Sequence, residues 1–513
     1  MNRVRTEKSR DAATVPAIMT DRGVVASYEE DAAHASGTAS GVVRPTSEAE
    51  VSALLAFAQR EGRGLLPQGA RSSLTAGATP RGDLVLALEG MDAFALEGDR
   101  ARVGPGVRLR DLNERLASSG LWFPPVPTYD LCCVGGAVAT NAAGAATFKY
   151  GAVRSWVAGL RVVLASGDVL AIERGACHEA AGSFEIETSS GVVTVPLPRY
   201  RTPPLKKIAC GYFVQDGMDL VDLFIGSEGT LGVVTEVLLS LSPRPAGVVT
   251  GLASFASDHA ALGFVSEVRR ESESRESLGV RAIEWADARS LDLLRERGKA
   301  PESELPPRGS CFVLWEQELA RREDEELALE RLDALLRKHD AGRDVRVALP
   351  DDERGRRAIA HLREVVPETV NELVSERKRA DPGVRKVAGD MVVPFDRLEE
   401  MLGHYRSAFA RRGLDSAIWG HVSDGNVHAN VLARSSADAR SGDEALLELG
   451  DMARSLGGAP LSEHGVGKSP TKQRLLRAFL GDQAITDMAR TKKALDPRGI
   501  LAPGNIFPRD TLE

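Results

Sequence analysis

Three glycine-rich loops punctuate the first half of this chain: PQGARSSLTAG (67–77), VGGAVATNAAG (134–144) and IGSEGTLGVVTE (225–236). Glycine tolerates tight turns and close backbone approach, and several such loops let backbone N–H groups reach an anion. A phosphate-bearing cofactor is therefore expected. Short β-rich runs separate the loops from Val42 to about Pro243, among them LRVVLASGDVLAI (160–172), which reads as a hairpin. Helices are few here. TSEAEVSALLAFAQREG (46–62) opens with a Ser-x-x-Glu capping box, and LRDLNERLASSG (109–120) ends at a glycine stop.

Two familiar nucleotide motifs fail. No GxGxxG follows a predicted strand, and SEHGVGKS (462–469) misses the phosphate-loop pattern because Ser462 stands at its first glycine. The whole chain sets further bounds. It has 513 residues, 43% of them hydrophobic, enough for more than one domain. A net charge of −8, with basic residues scattered among acids, argues against a nucleic-acid partner. The five cysteines form no CxxC pair, which favours free thiols in a reducing, cytoplasmic setting over an iron–sulfur cluster. No apolar run is long enough for a transmembrane segment. Peripheral contact with the inner face of a membrane stays open, as does a homodimer.

Past residue 245 the pattern changes to long charged helices, notably ELARREDEELALERLDALLRKHDAG (318–342), with strands GSCFVLWEQE (309–318) and GDMVVPF (389–395) between them. The expected division is a loosely packed lead-in over 1–35, a strand-and-loop domain over 36–245 and an α+β domain over 246–513. In the last, helices cover one side of an antiparallel sheet. Within it, GHVSDGNVHAN (420–430) places Asp-Gly between short apolar runs, a hairpin signal. If Asp424 and Gly425 are the two central residues, His421 faces His428 with Cβ atoms about 4.5–5.5 Å apart. Two imidazoles that close chelate one ion or merely stack.

Taken in order, the motifs resemble the FAD-linked oxidases with the vanillyl-alcohol-oxidase (PCMH) type of FAD domain. The first loop is similar to that family's P-x-G-G-G-T-S-L-x-G-G, and the second to T-I-G-G-x-x-A-T-N-A-G-G. KYGAVRSWVAGLRVVLASGDVL (149–170) and DPRGILAPGN (496–505) follow two further family segments. The resemblance implies non-covalent FAD. Gly69, Ala70, Arg71, Ser72 and Ser73 would cradle its pyrophosphate. Gly135, Gly136, Ala139, Thr140, Asn141 and Gly144 would approach the flavin and ribityl chain, and Glu228, Gly229, Gly232 and Val233 the adenosine side. Ala70, Arg71, Ala143, Ser423 and Ala502 depart from the family pattern. Ala70 and Arg71 replace glycines, so positive φ is not freely available there. Arg71 either offers the diphosphate a cation or alters the bonding. Ala502 replaces an asparagine.

GHVSDGNVHAN and LSEHGVGK (461–468) resemble the site of the family's D-2-hydroxyacid dehydrogenase branch (lactate, glycolate, 2-hydroxyglutarate). That resemblance implies a divalent metal, usually zinc, on His421, His428 and Glu463. His464 would be the general base, and Asn430 would lie near substrate or flavin. HLREVVPE (361–368) makes Arg363 the candidate for the substrate carboxylate, an exposed helical arginine being the other reading. The implied reaction oxidises a D-2-hydroxy acid to the 2-oxo acid and hands electrons to a separate acceptor: a quinone, an electron-transfer flavoprotein or a cytochrome. The alternatives are an ether-lipid enzyme like alkyl-dihydroxyacetonephosphate synthase and a non-catalytic flavin-binding subunit.

Overall fold

The computed structural model describes residues 3–512 apart from 10–12, 126, 275–277 and 343. Two compact units emerge. One comprises Met1–Ala143, Gly151–Pro243 and Leu461–Glu513, the other Gly144–Tyr150 and Arg244–Pro460. These units cut across a linear division at residue 245.

In the first unit a five-stranded antiparallel sheet runs in the order Phe94–Glu97, Arg100–Val103, Val233–Ser240, Val157–Val163, Val169–Glu173. Its last pair is the expected hairpin. A parallel sheet sets Arg81–Ala87 between Thr38–Val43 and Leu65–Gln68. The helix Glu48–Glu61 begins where expected: Ser47 Oγ accepts from Glu50 N–H, while the Glu50 carboxylate accepts from Thr46 N–H. The lead-in is more ordered than its composition suggests. Arg3–Arg5 adds a parallel strand to Ser183–Thr188, and Tyr28 is buried. The chain's last segment is built into this unit through buried polar groups. Leu65 N–H donates to Ile500 C=O and Ala502 N–H to Leu65 C=O, each at 2.7 Å. The Lys492 ammonium reaches Asp496 and the carbonyls of Thr230 and Leu501, all at 2.8 Å.

The second unit holds one antiparallel sheet, ordered Val345–Ala348, Gly247–Phe255, Cys311–Leu319, Val280–Ala286, Ser416–His421, Asn426–Val431, Val387–Ala388. Helices cover both of its faces, not one. Val313 and Trp315 point into a core with the helices Asp258–Ser274, Glu325–Lys338, Leu398–Ala410 and Ser436–Ser455. Their neighbours Phe312 and Leu314 point the other way, against Ala288–Glu296 and Glu353–Ala380. The run CFVLW is apolar on both faces because both faces are covered. Two boundaries also move. The strand continues to Leu319, so the charged helix starts at Glu325 and not at residue 318, and GDMVVPF pairs only through Met391–Val392.

Candidate active site

In the first unit the glycine loops are stitched to one another by backbone groups. Gly226 N–H donates to Val138 C=O and Glu228 N–H to Ala139 C=O, at 2.9 and 2.8 Å. The Glu228 carboxylate accepts N–H bonds from Val466 and Gly467, both 2.7 Å. Burial pushes that carboxyl's pKa up, and the two N–H donors oppose the shift. Lys468 N–H reaches Thr75 C=O at 2.9 Å, and Asn505 Nδ2 donates to Gly77 and Glu228 carbonyls. Glu228 therefore serves as a clasp between loops. Gly232 and Val233 serve packing: Val233 pairs with Val163, and a Cβ on Gly232 would lie 2.3 Å from Val162.

Gly69 packs against Cys133, where a Cβ would come to 3.0 Å, so the first and second loops touch. Burial raises the Cys133 thiol pKa, as suits a packing thiol. Beside this contact lies a cavity of about 200 Å³ lined by Ala70, Arg71, Val107, Arg108 and Cys133, among others. The N–H groups of Gly69, Arg71, Ser72 and Ser73 find no acceptor among the described residues. The side of Gly136 where a Cβ would project is open. A row of backbone donors beside a cavity is what a diphosphate requires, so the FAD assignment fits.

Arg71 takes the left-handed backbone that its composition disfavours, at φ 55°, at a cost of about 1–2 kcal/mol. Its guanidinium pairs with Glu89 at 2.8 Å and lies 4.9 Å from the Tyr28 ring centroid. Ala502 likewise has φ 39°, a conformation that asparagine tolerates better than alanine. Among the other predicted residues here, Asn141 accepts from Arg154 N–H at 2.9 Å, and Thr140 Oγ1 bonds back to Gly136 C=O. Gly144 falls in the second unit.

This first unit also carries Glu463 and His464. Glu463 is 8% exposed in its side chain, and its carboxylate lies 3.6 Å from His464 Nε2 and 3.2 Å from the fully buried Lys207 ammonium. Lys207 is missing from the sequence-based site, although it stands in KKIACGYF. The same segment is fixed by Ala209 N–H and Cys210 Sγ, both bonded to Leu461 C=O.

In the second unit the paired strands Ser416–His421 and Asn426–Val431 sort their side chains by parity. Val427, Ala429 and Val431 enter the helix-packed core, while Asn426, His428 and Asn430 face the other way. The predicted register is wrong by one residue on each strand. His421 pairs with Asn426 and Trp419 with His428, because the turn has four residues, Val422–Gly425, with Gly425 alone left-handed at φ 71°. The imidazoles are diagonal neighbours on one face, not opposed. Their ring centroids still lie 5.4 Å apart, edge to face. Ser423 occupies the 3₁₀ part of the turn and needs no positive φ, so its replacement of a glycine leaves the turn unstrained. Gly425 is the position that requires glycine, since a Cβ there would sit 1.9 Å from Val393 C=O.

Each histidine has a buried acid beside it. His421 Nδ1 is 2.7 Å from Glu284, and His428 Nδ1 is 3.7 Å from Asp390. Arg363 Nη2 meets the same Glu284 oxygen at 3.1 Å, so the exposed-arginine reading fails. Asn430 Nδ2 donates to His428 C=O, and its buried Oδ1 has no hydrogen-bond partner among the described residues. His428 and Asp390 bring ligand atoms within 4.8 Å of each other, as a divalent metal such as zinc needs, with the His421 imidazole beside them. Sequence reasoning missed Glu284 and Asp390. The visible signal was an acid standing inside an apolar strand run, RAIEWADA (281–288) and VAGDMVV (387–393).

Residues 39–173 match the profile described as FAD binding domain. Residues 244–506, just over half of the chain, match FAD linked oxidases, C-terminal domain. The chain belongs to the FAD-linked oxidases. Among curated relatives, glycolate oxidase subunit GlcD of Bacillus subtilis (strain 168) is 29% identical over 483 residues, spanning 91% of this chain and 89% of the relative. D-2-hydroxyglutarate dehydrogenase of Stutzerimonas stutzeri (strain A1501) is 27% identical over 510 residues, 96% of each chain. The mitochondrial D-lactate dehydrogenase (cytochrome) of Arabidopsis thaliana is 28% identical over 486 residues, 91% of this chain and 73% of its own. A solved alkyldihydroxyacetonephosphate synthase shares the fold, with a TM-score of 0.63 at 13% identity, covering 98% of this chain and 88% of the other. No helix among the described residues is long and apolar enough to cross a membrane.

Proposed function

We propose that this enzyme oxidises a D-2-hydroxy acid to the corresponding 2-oxo acid and passes the electrons to a separate acceptor: a quinone, an electron-transfer flavoprotein or a cytochrome. The reading is supported by the names of the relatives and carried by one observation: two buried imidazoles 5.4 Å apart on one strand pair, one tied to a buried acid. FAD supplies the hydride acceptor at its N5, and a divalent metal held by His421, His428 and Glu463 would supply a Lewis acid for the substrate's hydroxyl and carboxylate oxygens.

His464 takes the proton from the substrate hydroxyl as C2 loses its hydrogen. Arg363 binds the substrate carboxylate. Its five N–H donors allow it to keep Glu284 while doing so. Asn430 offers its unbonded buried Oδ1 to the substrate. Gly69–Ser73 and Gly136 hold the diphosphate end of FAD.

Anaerobic mixing of the purified flavoprotein with a panel of D- and L-2-hydroxy acids tests the proposal. Bleaching of the oxidised flavin by D acids alone is expected, and loss of bleaching after chelation. No bleaching by any 2-hydroxy acid overturns the reaction; bleaching unaffected by chelation, in protein free of bound metal, overturns the metal.

A further inference from the structure

Glu284 stands on Val280–Ala286 between Ile283 and Trp285, both of which enter the apolar core. It is 4% exposed, a costly place for a carboxylate unless it is paired and hydrogen-bonded. The next strand's acids have other cations: Arg281 lies 2.6 Å from Glu316 and 3.3 Å from Glu318, and Lys149 also pairs with Glu318. Glu284 instead joins two groups from distant parts of the sequence, His421 Nδ1 at 2.7 Å and Arg363 Nη2 at 3.1 Å, both on one oxygen. Arg363 sits four residues before Pro367, inside the helix Glu353–Ala380. Proline has no N–H to give the Arg363 carbonyl.

A carboxylate on Nδ1 draws the ring proton to that nitrogen. The lone pair is then on Nε2, the atom a metal can use, and the ring cannot rotate away. We propose that Glu284 is the positioning residue of the site. By accepting the Nδ1–H of His421 and the Nη2–H of Arg363, it fixes the tautomer of a metal-binding imidazole and the spacing of the carboxylate-binding arginine through a single buried acid. The inference rests on the reading of His421 as a ligand and deepens it: one group couples metal retention to substrate binding.

The test compares purified holoenzyme carrying Glu284→Gln, Glu284→Asp or Arg363→Met with the parent, by zinc competition against a chromophoric chelator alongside FAD content. Glu284→Gln is expected to weaken zinc binding about 10–100-fold with FAD content unchanged, as other second-layer carboxylate losses do. Its turnover of a D-2-hydroxy acid should return with excess zinc, which a merely structural role would not produce. Arg363→Met should raise KM while leaving zinc affinity within a few-fold of the parent. If Glu284→Gln loses FAD through misfolding, Glu284→Asp keeps the charge and carries the test, with weaker zinc binding expected at normal FAD content. Parental zinc affinity in both Glu284 variants, or no recovery of turnover with zinc, overturns the inference. Parent protein that binds no zinc overturns the metal reading, and this inference falls with it.

Discussion

The two ends of the chemistry are built from different material. Around the expected FAD diphosphate, loops from four parts of the sequence are joined almost entirely through backbone N–H and C=O groups, with Glu228 as a clasp. On the sheet of the second unit, the backbone is an ordinary ladder and the chemistry lies in side chains: His421, His428, Asn430, Glu284, Arg363 and Asp390. The difference predicts how each region fails. A backbone-built cradle fails wherever an added atom would meet neighbouring backbone, whatever its polarity. A side-chain-built face can lose its chemistry without losing its fold.

The stretch SEHGVGK carries both kinds of residue, so it gives the sharpest contrast. His464→Ala is expected to slow flavin reduction by a D-2-hydroxy acid by about 10²–10⁴-fold, the usual worth of a general base, with FAD content and melting temperature unchanged. Stopped-flow mixing reads this, and parental bleaching would remove His464 from the mechanism. Three residues on, a Cβ on Gly467 would meet Thr75 C=O at 2.3 Å, at a position with φ 55°. Gly467→Ala should cost about 2–4 kcal/mol in stability and release FAD, read by thermal melting and flavin fluorescence. If both variants keep flavin equally, the contrast between backbone and side chain breaks.

A smaller effect separates the second unit's structural acids from its functional ones. Asp287 caps the helix Ala288–Glu296, and burial raises its carboxyl pKa to about 6 against the opposing Ser290 bonds. A raised carboxyl pKa means the folded state holds the proton longer than the unfolded chain does. This group's stabilisation is therefore complete below the ordinary carboxylate range and is lost as pH climbs through about 6. Asp287→Asn keeps an N-cap oxygen and should remove that slope, raising stability at neutral pH by about 1–3 kcal/mol in denaturant titrations, with turnover unaltered. The smallest expected change is Ala502→Gly. Relief of the left-handed backbone should stabilise the first unit by about 1 kcal/mol, less the lost burial of one methyl group, seen as a melting shift of a few degrees or less.

The same contrast explains what could be read beforehand. Glycine loops are local in sequence, so a few short motifs in order were enough to identify the family and the approximate cofactor cradle. Contacts between side chains far apart in sequence were not visible. Glu284 and His421 stand 137 residues apart, and nothing in RAIEWADA says which neighbour its acid will meet. The hairpin register failed for a different reason. Asp-Gly signals a turn but not its length, and here it closes a four-residue turn instead of forming a two-residue one. The return of Leu461–Glu513 to the first unit was hidden because its helices have the same amphipathic pattern as those that precede it.

The four-residue turn also sets a rule for evolutionary change. Side chains alternate along a strand, so parity decides which face each one takes. Insertion or deletion of one residue within 422–425 would ask the chain either to slip the following strand by a place or to absorb the change in the loop. A slip would send His428 and Asn430 into the apolar core and bring Val427 and Ala429 out to the polar face. Strand slips that follow a length change at this turn should therefore survive only in steps of two among active descendants of this chain, a counting constraint that substitution tolerance at any single position would never reveal.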